Sequence, residues 1–597
     1  MKTKDIMTLM NDVQKKDFQI ARSLILLIVL YAAIALLSGV FGVFYTSGIW
    51  ITWASLSILF YIKKIVIFSR PSQELISYTL IALAFSLLIA IYTVPTIFSG
   101  RDQGSLSAAA MQLSNTHHLI THTPESTVFF NIYGYGKALN FPGFFYTADG
   151  GLLTQFPLPY ITYIAGFFGI FGIYGFVVAN FTLLSTFIIS ITLFARNFIN
   201  TKYTFVFLTL FLSSFCISWF AKFTLSENIT SMLLWSTALL FVMLKKNPEK
   251  TTYFTFFITL SLILFSRLEG LWFFAIFTFL TFRSNTIRTF LRKDIWWYVI
   301  FPFTVLFTIG CVVFTMNVPF ITTIANVFLN TTVADGKIGS ESFLEKFSYL
   351  VSVYGLYGLI GPLIFTAGLS AIAMRYKKYR RYLLPITVTL PLFSYYLFPH
   401  ISSDHPWMLR RFTFALLPAT LLVSTFFIAA IPRRWSHMRP VLQYTIITIL
   451  LLANIPAFAT FITYAENTTL KNQIHNLSTL FSDNDLILID KNVTGNGWSM
   501  ITSPLRSLEN KHAVYFFNTS DYEKIDVSKF KRVFLITPNT NKEFYETALH
   551  THIDYTGKFI FTSEQLQLEN SKTIPTQYPK KDTYIIRCTI YELNNLE

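Results

Sequence analysis

Apolar residues along this chain come in long unbroken runs, with the polar residues gathered in the gaps between them. A helix needs roughly 20 apolar residues to cross a bilayer. Runs of that kind stand at about 20–38, 46–62, 75–98, 174–194, 203–219, 228–244, 251–266, 270–283, 295–315, 350–373, 381–398, 412–431 and 441–463. They predict thirteen membrane-spanning helices, of which the pair within 251–283 is the shortest. An odd number of spans puts the two termini on opposite sides of the membrane.

The material after about residue 464 follows another rhythm. Asp485–Asp490, Ala513–Phe517, Arg532–Thr537 and Thr583–Tyr591 read as buried strands, with helix-like stretches near 466–481, 498–510 and 541–551. Such alternation predicts a small α/β domain with a partly parallel sheet. The chain thus divides into a membrane part, 1–464, with a large loop at 99–173, and an α/β domain, 465–597.

Composition agrees. Of 597 residues, 53% are apolar, 17% aromatic and 13% charged, against about 25% charged in an average soluble protein. Disorder, a coiled coil and an ordinary nucleic-acid-binding domain are all excluded, so no nucleic-acid partner is expected. The first apolar run lacks a small-residue cleavage site and reads as a retained helix. Cys216, Cys311 and Cys588 form no disulfide framework and no metal-ligand spacing.

The net charge of +16 reads as a record of orientation. With the N-terminus in the cytoplasm, 25 basic residues of the membrane part fall on the inner side. Only Arg101, Lys137, Lys222, Arg267, Lys337, Lys346, Arg410 and Arg411 fall outside. That asymmetry is the positive-inside pattern. It predicts a multi-pass plasma-membrane protein whose large loop and C-terminal domain are extracytoplasmic.

Candidate chemistry gathers at the outer rim. Asp102 opens a helix-forming stretch, where an acid suits the positive end of the helix dipole. Pro157 and Pro159 head a stretch that reads as an interfacial helix running to Phe171, in preference to one more span. His117, His118 and His122 match no metal motif and read as loop residues. Asp483-Asn484-Asp485 reads as a turn rather than a metal-binding carboxylate pair. In Arg267-Leu-Glu269-Gly270 both charges agree with the dipoles of the flanking helices, and Glu227 heads a span behind Ser226, a plausible N-cap. Arg410 and Arg411 have no such explanation. They stand at the N-terminal end of a span, against the dipole and against the charge bias, and so call for an anion. Asp404, a lipid headgroup and the phosphate of a substrate all qualify.

At this point the chain resembles the glycosyltransferase C superfamily, in the branch of the protein O-mannosyltransferases and the lipid A aminoarabinose transferase. Four features carry the resemblance: Arg101-Asp102-Gln103-Gly104; the Pro157/Pro159 stretch ending in Phe171-Gly172; Ser266-Arg267-Leu-Glu-Gly270; and Asp404-His-Pro-Trp-Met-Leu-Arg-Arg411 ahead of Leu417-Pro418. The resemblance implies a polytopic α-helical fold of glycosyltransferase C type. It implies an inverting transfer of sugar from a polyprenyl-phosphate donor to a hydroxyl of a cell-surface glycan, lipid or protein, on the outer face, with Asp102 as catalytic base. Arg410 and Arg411, with Lys222 or Arg267, then hold the donor phosphate. Arg101, Glu227, Glu269, Asp404 and His405 are sugar or supporting contacts. Metal dependence differs within the superfamily, so a divalent metal stays open and no metal ligand is assigned. Relatives often have Asp-Glu where this chain has Asp102-Gln103, so a second carboxylate there is lacking.

The rival reading is a polytopic transporter or lipid-linked-glycan flippase. Those proteins place ionisable residues at mid-membrane and often repeat internally, whereas here charges gather at span ends. An impermeant thiol label checks the orientation. It is expected to reach a cysteine placed at Asn541 in intact cells and to miss one at Lys377. The opposite labelling would reverse it.

Overall fold

The computed structural model describes residues 3–95, 97, 102–334, 343–396, 405–431, 438–494, 501–538, 542–567 and 575–594. Most of the described chain is helical, with one small sheet in the large loop and a second at the C-terminal end.

Among the described residues six helices are long and apolar enough to cross a membrane: Gln14–Val40, Gln73–Ile91, Leu158–Arg196, Ser226–Lys246, Trp296–Met316 and Met438–Phe461. A seventh span arises if Phe347–Leu356 and Ile360–Arg375, bent by 102° at their junction, count as one. Fewer than the expected thirteen helices are therefore of bilayer length among the described residues. The reason is helix length, since each residue adds only about 1.5 Å. Thr46–Ile62, Thr201–Leu212, Lys250–Ser266, Gly270–Arg283 and Leu416–Ala430 are apolar but shorter, at 10–17 residues. The run at 203–219 breaks at Ser213 and Ser214, and the run at 381–398, described as far as Tyr396, is a 3₁₀ turn, a short helix and a second 3₁₀ turn. Hydropathy does not register such breaks.

The large loop is structured. Helix Asp102–Thr116 leads to β1 (Ile120–Thr121), a helix Pro124–Tyr133, then β2 (Gly136–Lys137), β3 (Phe144–Tyr146) and β4 (Leu152–Thr154). The strands pair antiparallel in the order β1-β4-β3-β2. The Pro124 helix starts sharply because Thr123 and Ser126 form a reciprocal capping box and proline holds the first turn.

The stretch expected to be interfacial forms helix Leu158–Phe171, and its first ten residues are all buried. It packs on Thr3–Val40, Thr46–Ile62, Asp102–Thr116 and Gly175–Arg196. Protein surrounds those ten residues, which corrects the expectation of an interfacial helix over that part, while Ile170 and Phe171 in its last turn are about half exposed. Gly172, at φ +59°, ends it in a conformation that an L side chain resists.

At the C-terminal end, β5 (Leu486–Asp490) is central, with β6 (His512–Phe516) and β7 (Val533–Pro538) parallel on either side. The sheet continues antiparallel through β9 (Lys581–Asn594) to β8 (His552–Leu566), giving the order β6-β5-β7-β9-β8. The partly parallel sheet agrees with the sequence pattern, while β8, whose polar and apolar residues alternate, escaped it. Asp483 meets Lys511 at 2.6 Å, and Asp485 accepts from Ser482 N and Arg532 at 2.8 Å, so the Asp485 carboxylate closes the turn and Asp483 forms an ion pair.

The large loop is fastened to this sheet and to the helical segments Thr502–Ser507 and Thr519–Lys524 beside it. Asn140 and Tyr515 exchange two hydrogen bonds, Tyr133 donates to Asp521, and Arg506 lies over the rings of Phe141 and Phe144. Buried Glu125 meets His512 Nδ1 at 2.7 Å. That hydrogen bond holds His512 above its usual range; burial works against it, and Asp483 adds to it. A raised folded-state value means that the contact stabilises fully below about pH 6.5 and is lost as pH rises through the raised value. Hydrogen exchange of β6 amides is expected to accelerate above about pH 6.5 beyond its intrinsic trend, and His512→Gln to flatten that step. A step persisting in the variant would exclude this pair as its source.

Candidate functional site

Four chain segments bring charge to one end of the helical part. Asp102 is the first residue of helix Asp102–Thr116. Glu227 is the second of Ser226–Lys246. Arg267 and Glu269 cap facing ends of Lys250–Ser266 and Gly270–Arg283. Arg410 and Arg411 sit in the 3₁₀ turn Trp407–Phe412.

Local bonds hold these segments in register. Thr224 Oγ1 donates to Gln103 O at 2.9 Å and lies 2.7 Å from Ser107 Oγ, tying the Asp102 helix to the segment before Glu227. The reversal at Gly270 is tight. A Cβ there would stand 2.0 Å from Ile263 O, so the Arg267–Glu269 turn can close only over glycine.

The charged side chains then form a continuous array. Asp102 Oδ2 lies 2.6 Å from Arg410 Nη2. Arg410 Nε is 3.8 Å from Glu227 Oε1, and that oxygen is 2.8 Å from Arg267 Nη1. Arg267 grips Glu269 with two hydrogen bonds, Nε to Oε2 at 3.2 Å and Nη2 to Oε1 at 3.1 Å, and donates to Ser226 Oγ at 3.0 Å. Tyr395 donates to Glu269 Oε1 at 2.9 Å, and Arg411 lies 5.1 Å over the Tyr395 ring. Trp407 and Phe414 back Arg410 and Arg267.

Buried Glu227 and Glu269 meet Arg267 and Arg410, and that pairing lets them be buried. Burial alone would push the Glu269 carboxyl up. The Arg267 charge and hydrogen bonds outweigh it and hold the group down at about 2, with help from Arg411. Arg267 is itself shifted upward, burial being opposed by Glu227 and Glu269. The array is graded in exposure. The side chain of Glu227 is 3% exposed and that of Arg410 10%, while Asp102 reaches 41%. Asp102 is thus the carboxylate that solvent or a reactant can meet. Arg410 Nε and Arg411 Nε are buried with no hydrogen-bond acceptor among the described residues, and buried N–H groups are rarely left so.

Of the residues singled out from the sequence, the structure assembles Asp102, Glu227, Arg267, Glu269, Arg410 and Arg411. Lys222 stands apart. Its Nζ donates to the carbonyls of Phe461, Ile462 and Tyr464 at 2.7–3.1 Å, closing the C-terminal end of Met438–Phe461. Ser226 is not the N-cap; that position is Leu225, and Ser226 serves Arg267. Glu227 is accordingly more than a dipole partner. His405 is buried with Nδ1 3.4 Å from Tyr357 Oη. His117 and His122 have separate partners, Phe44 O and Asp149. Arg101 and Asp404 lie outside the described residues.

Sequence reasoning missed Tyr395, Thr224 and Ser107. Tyr395 sat inside an expected span, and the hydroxyl pair has no motif. Among the described residues no three His, Cys, Asp or Glu side chains gather as metal ligands. The fold and site together define a helical protein with bilayer-length helices and a buried ionic array at one end. No family model matches the chain, and no curated protein matches it.

The exposure gradient has a thermodynamic consequence. Glu227→Gln leaves two arginines short of charge in a buried setting and is expected to cost roughly 3 kcal/mol of stability. Asp102→Asn, at the exposed end, should cost about 1 kcal/mol or less. Unfolding in detergent micelles measures both, and equal losses would remove the distinction.

Proposed function

We propose that the protein is a membrane glycosyltransferase that moves a sugar from a polyprenyl-phosphate donor to a hydroxyl acceptor on the outer face. One observation carries this reading: an accessible carboxylate, Asp102, sits 2.6 Å from an arginine whose Nε has no acceptor among the described residues. A carboxylate beside cations with spare N–H groups is what proton removal coupled to phosphate departure requires.

The acceptor hydroxyl gives its proton to Asp102 as its oxygen bonds to the anomeric carbon. The bond from that carbon to the donor's phosphate oxygen breaks, and its electron pair stays on the phosphate. Arg410 and Arg411 neutralise the charge that grows there, through bidentate and charge-assisted contacts. Attack opposite the leaving group inverts the sugar carbon. In the resting site Arg410 is occupied by Asp102. A donor phosphate that takes over Arg410 frees the carboxylate for the acceptor, so donor binding prepares the base. Glu227, Arg267 and Glu269 keep Arg410 in place, and Lys222, committed to carbonyls, has no part in the step.

Asp102→Asn is expected to abolish sugar transfer by purified protein at undiminished expression, and full activity in that variant would remove the base. Replacing Arg410 and Arg411 with Gln should raise KM for the donor while leaving KM for the acceptor near its starting value. Equal donor use by both proteins would reject the phosphate role.

A further inference from the structure

The end of the helical part away from Asp102 carries a second feature that the transfer reaction does not use. Helix Ser226–Lys246 measures the separation: Glu227 stands at one end, Lys245 and Lys246 at the other, about 30 Å away at 1.5 Å per residue. At this far end the 3₁₀ turn Lys377–Leu383 follows helix Ile360–Arg375. A 3₁₀ turn repeats every three residues, and tyrosine recurs at that period, as Tyr376, Tyr379 and Tyr382. All three line one cavity of about 890 Å³, together with Lys378 and Arg439.

The cations here are unpaired in a specific sense. Arg375, Lys377, Lys378, Arg380 and Arg381 crowd into seven positions. No ion pair among the described residues joins any of them, or Arg439, to a carboxylate. Lys378 lies 4.8 Å over the Tyr379 ring and Arg381 4.8 Å over Tyr382. Arg439 keeps a buried Nε without an acceptor among the described residues. Insertion asks only for positive charge on one side of the membrane. It does not ask for a tyrosine-lined cavity behind that charge, nor for a buried guanidinium N–H left open.

The cavity's surroundings favour one occupant. Met374, Met438 and Val441, on the helices that border it, are 65–72% exposed, as lipid-facing side chains are. A ligand with a phosphate in the cavity can lay hydrocarbon along that face, and the volume far exceeds what a bare phosphate fills. We propose that this cavity binds the phosphate headgroup of an anionic membrane lipid. Lys378 and Arg439 meet the phosphate, and the three tyrosines surround the headgroup.

The test uses the full chain in detergent, with native mass spectrometry reading bound lipid after addition of phosphatidylglycerol or phosphatidylcholine. The wild type is expected to retain phosphatidylglycerol in preference to phosphatidylcholine. Lys378→Gln and Arg439→Gln should each lower that retention about fivefold, and Arg439→Lys should restore part of it. Arg380→Gln, outside the cavity lining, should leave it unchanged. Lys378 is exposed, so its variant stays informative if Arg439→Gln fails to fold. Equal retention of the two lipids, or losses under twofold at both cavity cations, would overturn the site. Displacement of the lipid by millimolar inorganic phosphate would overturn the lipid in favour of a soluble anion.

Discussion

The structure depends on keeping opposite charges together where water is scarce. Arg267 is the hub: it holds Glu269 through two hydrogen bonds, Glu227 at 2.8 Å and Ser226 at 3.0 Å. Burying any one of these charges alone would cost several kcal/mol. Together they are tolerated, and they fix Glu227 where it can steady Arg410. The ends of four helices therefore share one solution. Shifting any of them by a turn, about 5.4 Å, would leave a charge behind.

That constraint also places the reactive-looking end. Asp102 does not help to bury the hub. It closes the array on the exposed side, held by Arg410 and by the Thr224 bond to Gln103 O. The stable interior of the cluster and its accessible edge thus belong to one network. A group arriving at the edge meets side chains already oriented, which is where electrostatic stabilisation of a developing phosphate charge gains most. The loop that carries Asp102 is secured a second time, by Glu125, Asn140 and Tyr133 against the C-terminal sheet. This gives the C-terminal part a role in holding the site's loop, beyond forming a separate fold.

Much of this was legible in the sequence because charge in an apolar chain is rare. Arg267, Glu269, Glu227, Asp102, Arg410 and Arg411 stood out at helix ends, and the structure brings them into one array. The strands of the C-terminal sheet were legible as apolar runs, apart from the alternating β8. What was not legible depends on distant contacts or on breaks inside apolar runs. Lys222 looked like a free outer cation, but its acceptors lie about 240 positions away in the chain. Ser226 fitted a cap by its neighbours and serves Arg267 by geometry. The kinks at Ser213, at Gly358 and through 377–396 carry no hydropathic mark, so span counting ran high.

The central claim is that the array consumes a lipid-linked sugar. Mass analysis of polyprenyl-phosphate sugars from cells with and without the protein tests it most directly. The account predicts that one polyprenyl-phosphate sugar accumulates when the protein is absent and in cells carrying Asp102→Asn, with loss of a matching sugar from a surface product. An unchanged pool of lipid-linked sugars and unchanged surface products in both cases would contradict it.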